Sequence, residues 1–442
     1  MMRGHVMPPV TTGRVAATQS STPLRGEVAA VLDLMLLAAK LLFANGQTTA
    51  RTIDATVRLA GALGFRADLL PRWGELTATV DGDGACARVV AASPLGVDMG
   101  KVAATLGVVD QLCDGRIDME TARVMLQAIV QRPPIAVARF ALLAAAGAAA
   151  LGVIFGAVHL LTLLLIALSA GAGALLRRWL AGISGNPFVQ PLCAALLAGV
   201  VGAAAVHLQL STMQSLVAVC PCMVLVPGPH LLNGAIDLAH ARIALGAARM
   251  FFASLVIVMI CTGLLLGLAL GGVALPVSAT SVPVPLPCDV IAAGVAVAAY
   301  GTFFSMTWRT LPIPIVTGMV AHAARWATIS LAGGSVEIGA LVACLFVGIV
   351  ITPVADRLRL PFAALAFASV VSLIPGVFLF RMGGGLVALA ALGGKAPSEL
   401  LLATIADGST ATLIMLAMAL GLILPKMLIE RVCPHIVGGQ RS

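Results

Sequence analysis

Hydrophobic and polar positions divide this chain into two parts. Residues 1–132 alternate short apolar and polar segments and hold 13 of the 27 Lys and Arg residues and 12 of the 19 Asp and Glu residues. Residues 133–442 consist mainly of long apolar runs with few charges. Because a bilayer core of ~30 Å is crossed by about 20 apolar residues in a helix, this pattern predicts a polar head followed by a multi-pass α-helical membrane body.

Ten apolar runs of the body are long enough to cross a bilayer, although several contain Pro or Gly. We therefore expect ten transmembrane helices, arranged as two five-helix units. The runs lie near residues 138–157, 159–177, 189–208, 212–232, 250–272, 288–307, 312–331, 335–354, 361–381 and 408–427.

The pattern of the head predicts a small cytoplasmic α+β domain. Its first two helices cover about 24–44 and 49–64, and its last two start after Asp98 and Asp118, residue types that favour helix N-caps. Two strands are expected between these helix pairs, at 75–80 and 85–91, joined by an Asp-Gly-Asp-Gly turn. The expected division of the chain is a disordered tail at 1–22, the head at 23–132, a first membrane module at 133–275 and a second at 283–432.

The charge of the chain fits this division. The net charge is +8, only 10% of residues are charged and 60% are apolar. The surplus of Lys and Arg lies in short loops, which marks cytoplasmic ends of spans, so both termini are expected to be cytoplasmic. Nucleic acid is not an expected partner, because no basic stripe with interleaved aromatic residues is present. The inner loops contain Arg177, Arg178, Arg242, Arg249, Arg309, Arg357 and Arg359, whereas the outer loops contain Arg381 and Lys395.

Little in the sequence points to catalysis. The nine cysteines are odd in number and scattered, so neither a disulfide framework nor a metal site is expected. A calcium loop starting at Asp81 would need Glu at its twelfth position, where Ala92 stands. The one histidine of the head, His5, lies in the tail, so a nucleophile in the head would have no histidine base. We expect no enzyme activity, no catalytic residue, no metal and no cofactor.

The membrane body contains a repeat. Residues 224–231 match residues 372–379 at an offset of 148, with Leu, Pro, Gly and Leu identical. Each segment lies in the fourth span of five. A tandem unit with an odd number of spans places its second copy upside down, which is the inverted-repeat plan of many secondary transporters.

Each matching segment contains a Pro-Gly pair, Pro227-Gly228 and Pro375-Gly376. Proline removes a backbone donor and clashes with the preceding turn, so each helix is expected to break there. Freed backbone groups at membrane depth must line protein or a water-filled cavity. A half-helix restarting at Pro229 would direct its positive N-terminal end into such a cavity, where it favours a carboxylate. A simple kink is the alternative.

Polar residues near the two breaks are candidates for the substrate and proton pathway. His230, Asn233 and Asp237 are spaced to share one helix face. Asp237 and His230 could exchange a proton or bind a substrate ammonium, unless residues 234–249 lie at the cytoplasmic surface. Arg242 and Arg249 could neutralise Asp237 or bind a carboxylate. Near the second break, Arg381 could complement a carboxylate or Asp407, or snorkel at the outer rim.

The other polar residues of the body are given structural roles. His159, His207 and His322 are interpreted as packing residues, and Arg325 with Trp326 as an interfacial anchor. Asp289 and Glu337 are interpreted as loop-edge groups.

Several segments together resemble the threonine/serine exporter family in its fused, two-module form. The resemblance covers about residues 25 to 430 and includes the two Pro-Gly segments with Asp237, Arg249 and Arg381. In the head it is carried by 41–46 with Thr49 and Arg51, by 58–64, by 97–99 and by 115–122.

This resemblance implies export of small amino acids such as threonine and serine across the cytoplasmic membrane of a bacterium, driven by the proton-motive force. The implied partners are the amino acid, protons and the lipid bilayer, with a homo-oligomer left open. A dicarboxylate (succinate) exporter would share the fold. A membrane-tethered hydrolase and a scaffold protein are weaker alternatives.

Overall fold

The computed structural model of the protein describes residues 25–81, 86–210, 214–274, 284–358, 360 and 362–432. The predicted tail at 1–22, the turn centre Gly82–Gly84 and Arg359 lie outside the described residues.

The head contains four helices and an antiparallel sheet of three strands in the order β1-β2-β3. The two predicted strands are present, and a third, β1, precedes them. The sequence did not reveal β1 because it carries Pro71 and buries only Leu69, as an edge strand permits. The elements are α1 (Arg25–Ala44), α2 (Thr49–Ala62), β1 (Ala67–Arg72), β2 (Gly74–Val80), β3 (Cys86–Ala92), α3 (Met99–Cys113) and α4 (Met119–Val130).

Helix α1 forms the centre of the head. Its apolar face, which includes Leu32, Met35 and Leu42, is fully buried and packs on β2 and β3 and on helices α2 to α4. Burial of each large aliphatic side chain contributes about 1.5–3 kcal/mol, so this face supplies much of the stability of the head.

The two predicted N-caps are both present. The carboxylate of Asp98 accepts the N–H of Lys101 at 3.0 Å, and that of Asp118 accepts the N–H of Thr121 at 2.9 Å. The hydrogen bonds from Thr121 hold the pKa of Asp118 below its ordinary value of 3.8. The side-chain oxygen of Asp118 therefore caps the N-terminal end of α4, and ionisation of the carboxylate strengthens this cap.

We expect Asp118→Ala to increase hydrogen exchange in the first turn of α4, because the substitution removes the acceptor. Asp118→Asn is the control, since it retains a side-chain oxygen. Because the folded-state pKa is lowered, the stabilisation is present at neutral pH and is lost as the pH falls through that pKa. Hydrogen exchange of residues 119–123 in the full chain measures both effects. Equal exchange in the Ala and Asn variants would contradict the role of the cap.

All regular elements in the described part of the body are helices. Eight of the described helices are long and apolar enough to cross a membrane, and the bent pair α8–α9 would make a ninth. Helix α12 is not among the eight, because His322 and Arg325 lower its hydropathy. The helices are α5 (Val137–Ile154), α6 (Leu160–Ala181), α7 (Val189–His207), α8 (Gln214–Met223), α9 (Gly228–Ala239), α10 (Ile243–Leu270), α11 (Leu286–Phe303), α12 (Pro312–Ser330), α13 (Val336–Arg357), α14 (Phe362–Val370), α15 (Gly376–Leu392) and α16 (Ser398–Val432).

The helices α5–α10 and α11–α16 follow the same plan. Each series has three long helices, a short helix that ends before a Pro-Gly pair, a helix that restarts at its glycine, and a long last helix. The third and last helices of each series form its most extensive contact. Glycines allow this, because a Cβ at Gly267 would lie 2.2 Å from the Leu196 carbonyl oxygen, and one at Gly421 would lie 2.6 Å from Cys344 Cβ.

Three predicted span limits are wrong. Helix α10 begins at Ile243, so Arg249 lies inside a helix and not in an inner loop. Helix α15 continues to Leu392, so Arg381 lies inside a helix and not in an outer loop. Helix α16 begins at Ser398, so Asp407 does not open it. A charge was taken as the end of each span, whereas each of these three charges is paired with a charge on a neighbouring helix.

Candidate functional site

The two helix breaks lie against each other. Helix α8 ends at Met223 and α9 restarts at Gly228 with a bend of 55°. In the second series, α14 is followed by a 3-10 turn at Val371–Leu373, and α15 restarts at Gly376. Both Pro-Gly pairs therefore interrupt their helices where predicted.

Contacts between the breaks are reciprocal. Gly228 packs on the ring of Phe367 in α14, and Gly376 packs on Met223 in α8. A Cβ at Gly228 would lie 1.6 Å from Phe367 Cζ, and one at Gly376 would lie 2.8 Å from Met223 Cγ. Each glycine thus allows its half-helix to approach the short helix of the other series.

A cavity of about 510 Å³ extends from the head to the first break. The loop 95–98 of the head forms one side of its wall, and residues 224–227 with Pro229 and His230 lie at the break. The volume is within the range of small-molecule sites, about 300–1,000 Å³. The cavity therefore lies between the head and the broken helix, and residues of both line it.

Two arginines give the cavity a positive lining. Arg177 and Arg178 lie in the last two turns of α6. The guanidinium of Arg178 donates to the Ile135 carbonyl, whereas that of Arg177 lies 5.3 Å from the ring centre of Phe303. Among the described residues no ion pair of Arg177 is found, and its Nε has no hydrogen-bond partner. Arg177 is thus available to an anion.

The break itself is fixed by aromatic neighbours. The Tyr300 hydroxyl donates to the Met223 carbonyl at 3.0 Å, which satisfies one acceptor released at the end of α8. The His230 ring meets the Phe252 ring edge-on, with the centroids 5.1 Å apart. Tyr300, His230 and Phe252 all line the cavity.

Asp237 does not line the cavity but lies beneath the head. Its side chain is 1% exposed, and its Oδ2 accepts the Thr49 hydroxyl at 2.9 Å. Arg249 Nε lies 3.3 Å from the same oxygen, and Arg242 Nη1 lies 3.5 Å from Oδ1. Asp237 is therefore neutralised by α10 and fixed by the first residue of α2.

Further contacts dock the head on the body. Asn233 Nδ2 donates to the Gly46 carbonyl at 3.0 Å, and the Met99 N–H donates to the Phe304 carbonyl at 2.8 Å. Arg51 forms an ion pair with Asp356 at the end of α13. The head is thus bound to both helix series.

The second series has its own buried ion pair. Arg381 Nε of α15 lies 3.1 Å from Asp407 Oδ2 of α16. In the first series α9 carries the carboxylate and α10 the guanidinium, whereas here α15 carries the guanidinium and α16 the carboxylate. Arg381 is paired inside the protein, so the alternative of a snorkelling rim residue is wrong.

The interpretation of Asp289 as a loop-edge group is also wrong. Asp289 lies in the first turn of α11 and is 2% exposed. His322 Nδ1 lies 3.1 Å from its Oδ2, and His322 Nε2 lies 2.7 Å from the Ser372 hydroxyl. The carboxylate is buried because the imidazole on the neighbouring helix partners it.

The structure therefore separates the predicted site residues into groups. Pro227 and His230 line the cavity, Gly228 and Gly376 form the crossing of the breaks with Pro375, and Asn233, Asp237 and Arg249 lie under the head. Arg381 and Asp407 form a separate pair. Their transport roles stay predictions. No group of three or more His, Cys, Asp and Glu suited to a metal ion occurs in the described part of the chain.

Sequence reasoning missed Arg177 and Thr49 as site residues. Arg177 was used only as a signal of membrane orientation. Its position in the wall of the cavity could not be inferred from the sequence, because that wall is formed by distant segments. Thr49 had a weak signal, since it belongs to the segment that carries the family resemblance.

Two family models match the chain. Residues 33–271 match a model described as a putative threonine/serine exporter. Residues 289–428 match a second, described as "Threonine/Serine exporter, ThrE". The first match alone covers more than half of the polypeptide, and the two follow one another in a fused arrangement. No curated protein and no solved structure matches the chain.

Proposed function

Because this chain belongs to the threonine/serine exporter family, we propose that it exports small amino acids such as threonine and serine across the cytoplasmic membrane, driven by the proton-motive force. The observation that carries the proposal is the cavity of about 510 Å³ that ends at the broken helix. Secondary transporters bind their substrates at interrupted helices of this kind.

The substrate carboxylate is assigned to the cavity. The N-terminal end of α9 contributes a positive dipole at Pro229 and His230. Arg177 contributes a full charge, and its Nε has no hydrogen-bond partner among the described residues. The Val224, Leu225 and Val226 segment of the break supplies backbone carbonyls that could accept from the substrate ammonium.

Alternating access follows from the repeated plan of the body. We infer ten spans in two inverted units, with the broken helices counted as one span each and both termini in the cytoplasm. The reciprocal contacts at Gly228 and Gly376 support this arrangement. The cavity lies on the side of the head, which corresponds to an inward-facing state, and rocking of one unit against the other would expose the opposite side.

Asp237 is assigned a role in proton exchange or ammonium binding, as its depth and charge suggest. Its present partners limit how it acts. Before it could bind an ammonium, Asp237 would have to leave Arg249 and the Thr49 hydroxyl, which belongs to the head. Such a step would couple substrate movement to movement of the head.

Arg177→Gln is expected to raise KM for threonine efflux by about tenfold to a hundredfold, the range that corresponds to loss of a charged hydrogen bond. Arg309→Gln is the control, because Arg309 is exposed in a turn outside the cavity. Initial efflux rates at varied internal threonine measure KM. An unchanged KM in Arg177→Gln would contradict the assignment of the carboxylate.

Efflux from proteoliposomes with an imposed pH gradient tests the function as a whole. The panel should include threonine, serine and succinate. A dicarboxylate exporter is the alternative that one observation favours, because Arg177 and Arg178 are adjacent cations in one wall. Efflux of succinate without competition by threonine would establish that alternative, and absence of flux for every compound would contradict transport.

A further inference from the structure

Asp289, His322 and Ser372 form a buried chain of hydrogen bonds beside the second helix break. We propose that this chain is the proton-binding site that couples export to the pH gradient. The inference rests on the proposed proton-driven export. It assigns the coupling proton to residues of the second helix series, which leaves ammonium binding as the role of Asp237.

The three side chains come from three separate elements. Asp289 lies on α11, His322 on α12 and Ser372 in the 3-10 turn before Pro375. They are 2%, 0% and 3% exposed. Nδ1 of the imidazole lies 3.1 Å from the carboxylate and Nε2 lies 2.7 Å from the hydroxyl. Both ring nitrogens are thus engaged inside the protein.

In this geometry His322 can accept a proton while the three side chains keep their positions. In the neutral imidazole, Nδ1–H donates to Asp289 and Nε2 accepts from the Ser372 hydroxyl. When Nε2 binds a proton, it donates to the Ser372 oxygen, and the hydroxyl hydrogen rotates away. The negative Asp289 carboxylate then stabilises the new positive charge on the imidazole.

The position of Ser372 connects protonation to conformation. Ser372 occupies in the second repeat segment the place of Val224 in the first, and Val224 lines the cavity. Movement of the second break during a change of access would therefore alter the hydrogen bond at Nε2. A proton that binds one state better than the other shifts the equilibrium between them, which is the basis of coupling.

Charged residues near His322 lie on its own helix and on helices packed against it. Its own helix carries Arg325, which is within electrostatic reach of Asp289 and packs against Gly339 of α13. Helix α14 contains no titratable residue. On α13, Glu337 lies in the first turn, and Asp356 at the opposite end is bound to Arg51. A proton on His322 would therefore add one positive charge beside the Asp289 carboxylate.

The decisive test compares two fluxes of radiolabelled threonine in proteoliposomes. One is exchange with threonine on both sides and no pH gradient, which requires no net proton movement. The other is accumulation driven by a pH gradient. We expect His322→Gln and Asp289→Asn to retain exchange and to lose gradient-driven accumulation by about tenfold or more. His159→Gln is the matched control, because His159 is an exposed histidine of the body.

Ser372→Ala provides a second, milder variant. It removes the partner of Nε2 and keeps the pair of His322 with Asp289, so the midpoint of the pH profile of accumulation should shift while exchange persists. A purely structural role of the chain would not move that midpoint.

Several results would overturn the inference. One is gradient-driven accumulation in His322→Gln and Asp289→Asn at the level of the wild type. Another is loss of exchange together with accumulation in all three variants, which indicates a structural role. Absence of gradient-driven flux in the wild type would instead contradict the proposed function itself.

Discussion

Replacement of Gly228 by alanine is expected to destabilise the membrane body by about 3 kcal/mol, the upper end for over-packing, and to abolish transport. The added Cβ would lie 1.6 Å from Phe367 Cζ, with both other nearest atoms on the same ring. Phe367 is 3% exposed, so the ring is enclosed by other residues and cannot turn out to the surface. The half-helix α9 must therefore move away from α14, which separates the two breaks.

Two further variants make this result specific. Gly376→Ala introduces the same methyl group 2.8 Å from Met223 Cγ, and a flexible methionine can give way, so a smaller loss is expected. Phe367→Leu combined with Gly228→Ala should recover part of the stability, because it removes the ring. Thermal unfolding and threonine efflux measure both effects. Wild-type stability and flux in Gly228→Ala would show that the breaks do not cross as described.

Loss of the Asp237 carboxylate is expected to have the second large effect. Asp237→Ala leaves the guanidinium of Arg249, 1% exposed, without its buried counter-ion. Breaking one partner of a buried pair costs about 3–5 kcal/mol. The Thr49 hydroxyl also loses its acceptor, so the head should be less firmly held on α9. Chemical unfolding and protease sensitivity of the connection between head and body provide the measurements.

Controls separate charge burial from other effects. Asp54→Ala removes a carboxylate of the head that is 54% exposed and 3.8 Å from Arg58, and such surface pairs contribute about 0–1 kcal/mol. Asp237→Ala with Arg249→Leu should regain stability, because no buried charge is left alone. Asp237→Asn tests the transport role directly. Threonine efflux at the wild-type rate and pH dependence in that variant would remove Asp237 from the pathway.

The head is docked on both helix series. Thr49 and Gly46 bind the half-helix α9, and Arg51 binds the last turn of α13. Movement of one helix series against the other must therefore break or carry along some of these contacts. The head thus contacts the same half-helix whose first turn lines the cavity.

The helix breaks could be predicted from the sequence because their cause is local. Proline lacks the backbone donor, and glycine tolerates the turn that results, so both interruptions were placed correctly. The use of charges to mark span ends failed at Arg249, Arg381 and Asp407. A charge alone in an apolar run indicates the end of a span, but a charge paired across two helices does not. The sequence does not reveal whether such a charge has a partner on another helix.

Local chemistry and hydropathy thus determined the polar head, the helical membrane body, the repeated Pro-Gly segments and the family resemblance. These depend on residues close together in the chain. Only the tertiary structure decided that Gly228 packs on Phe367 and that Thr49 donates a hydrogen bond to Asp237, 188 positions away. It also decided that Asp289, His322 and Ser372 form one chain of hydrogen bonds. Such contacts depend on how helices far apart in sequence pack, since burial and partners of a side chain are set by neighbours that its own segment does not contain.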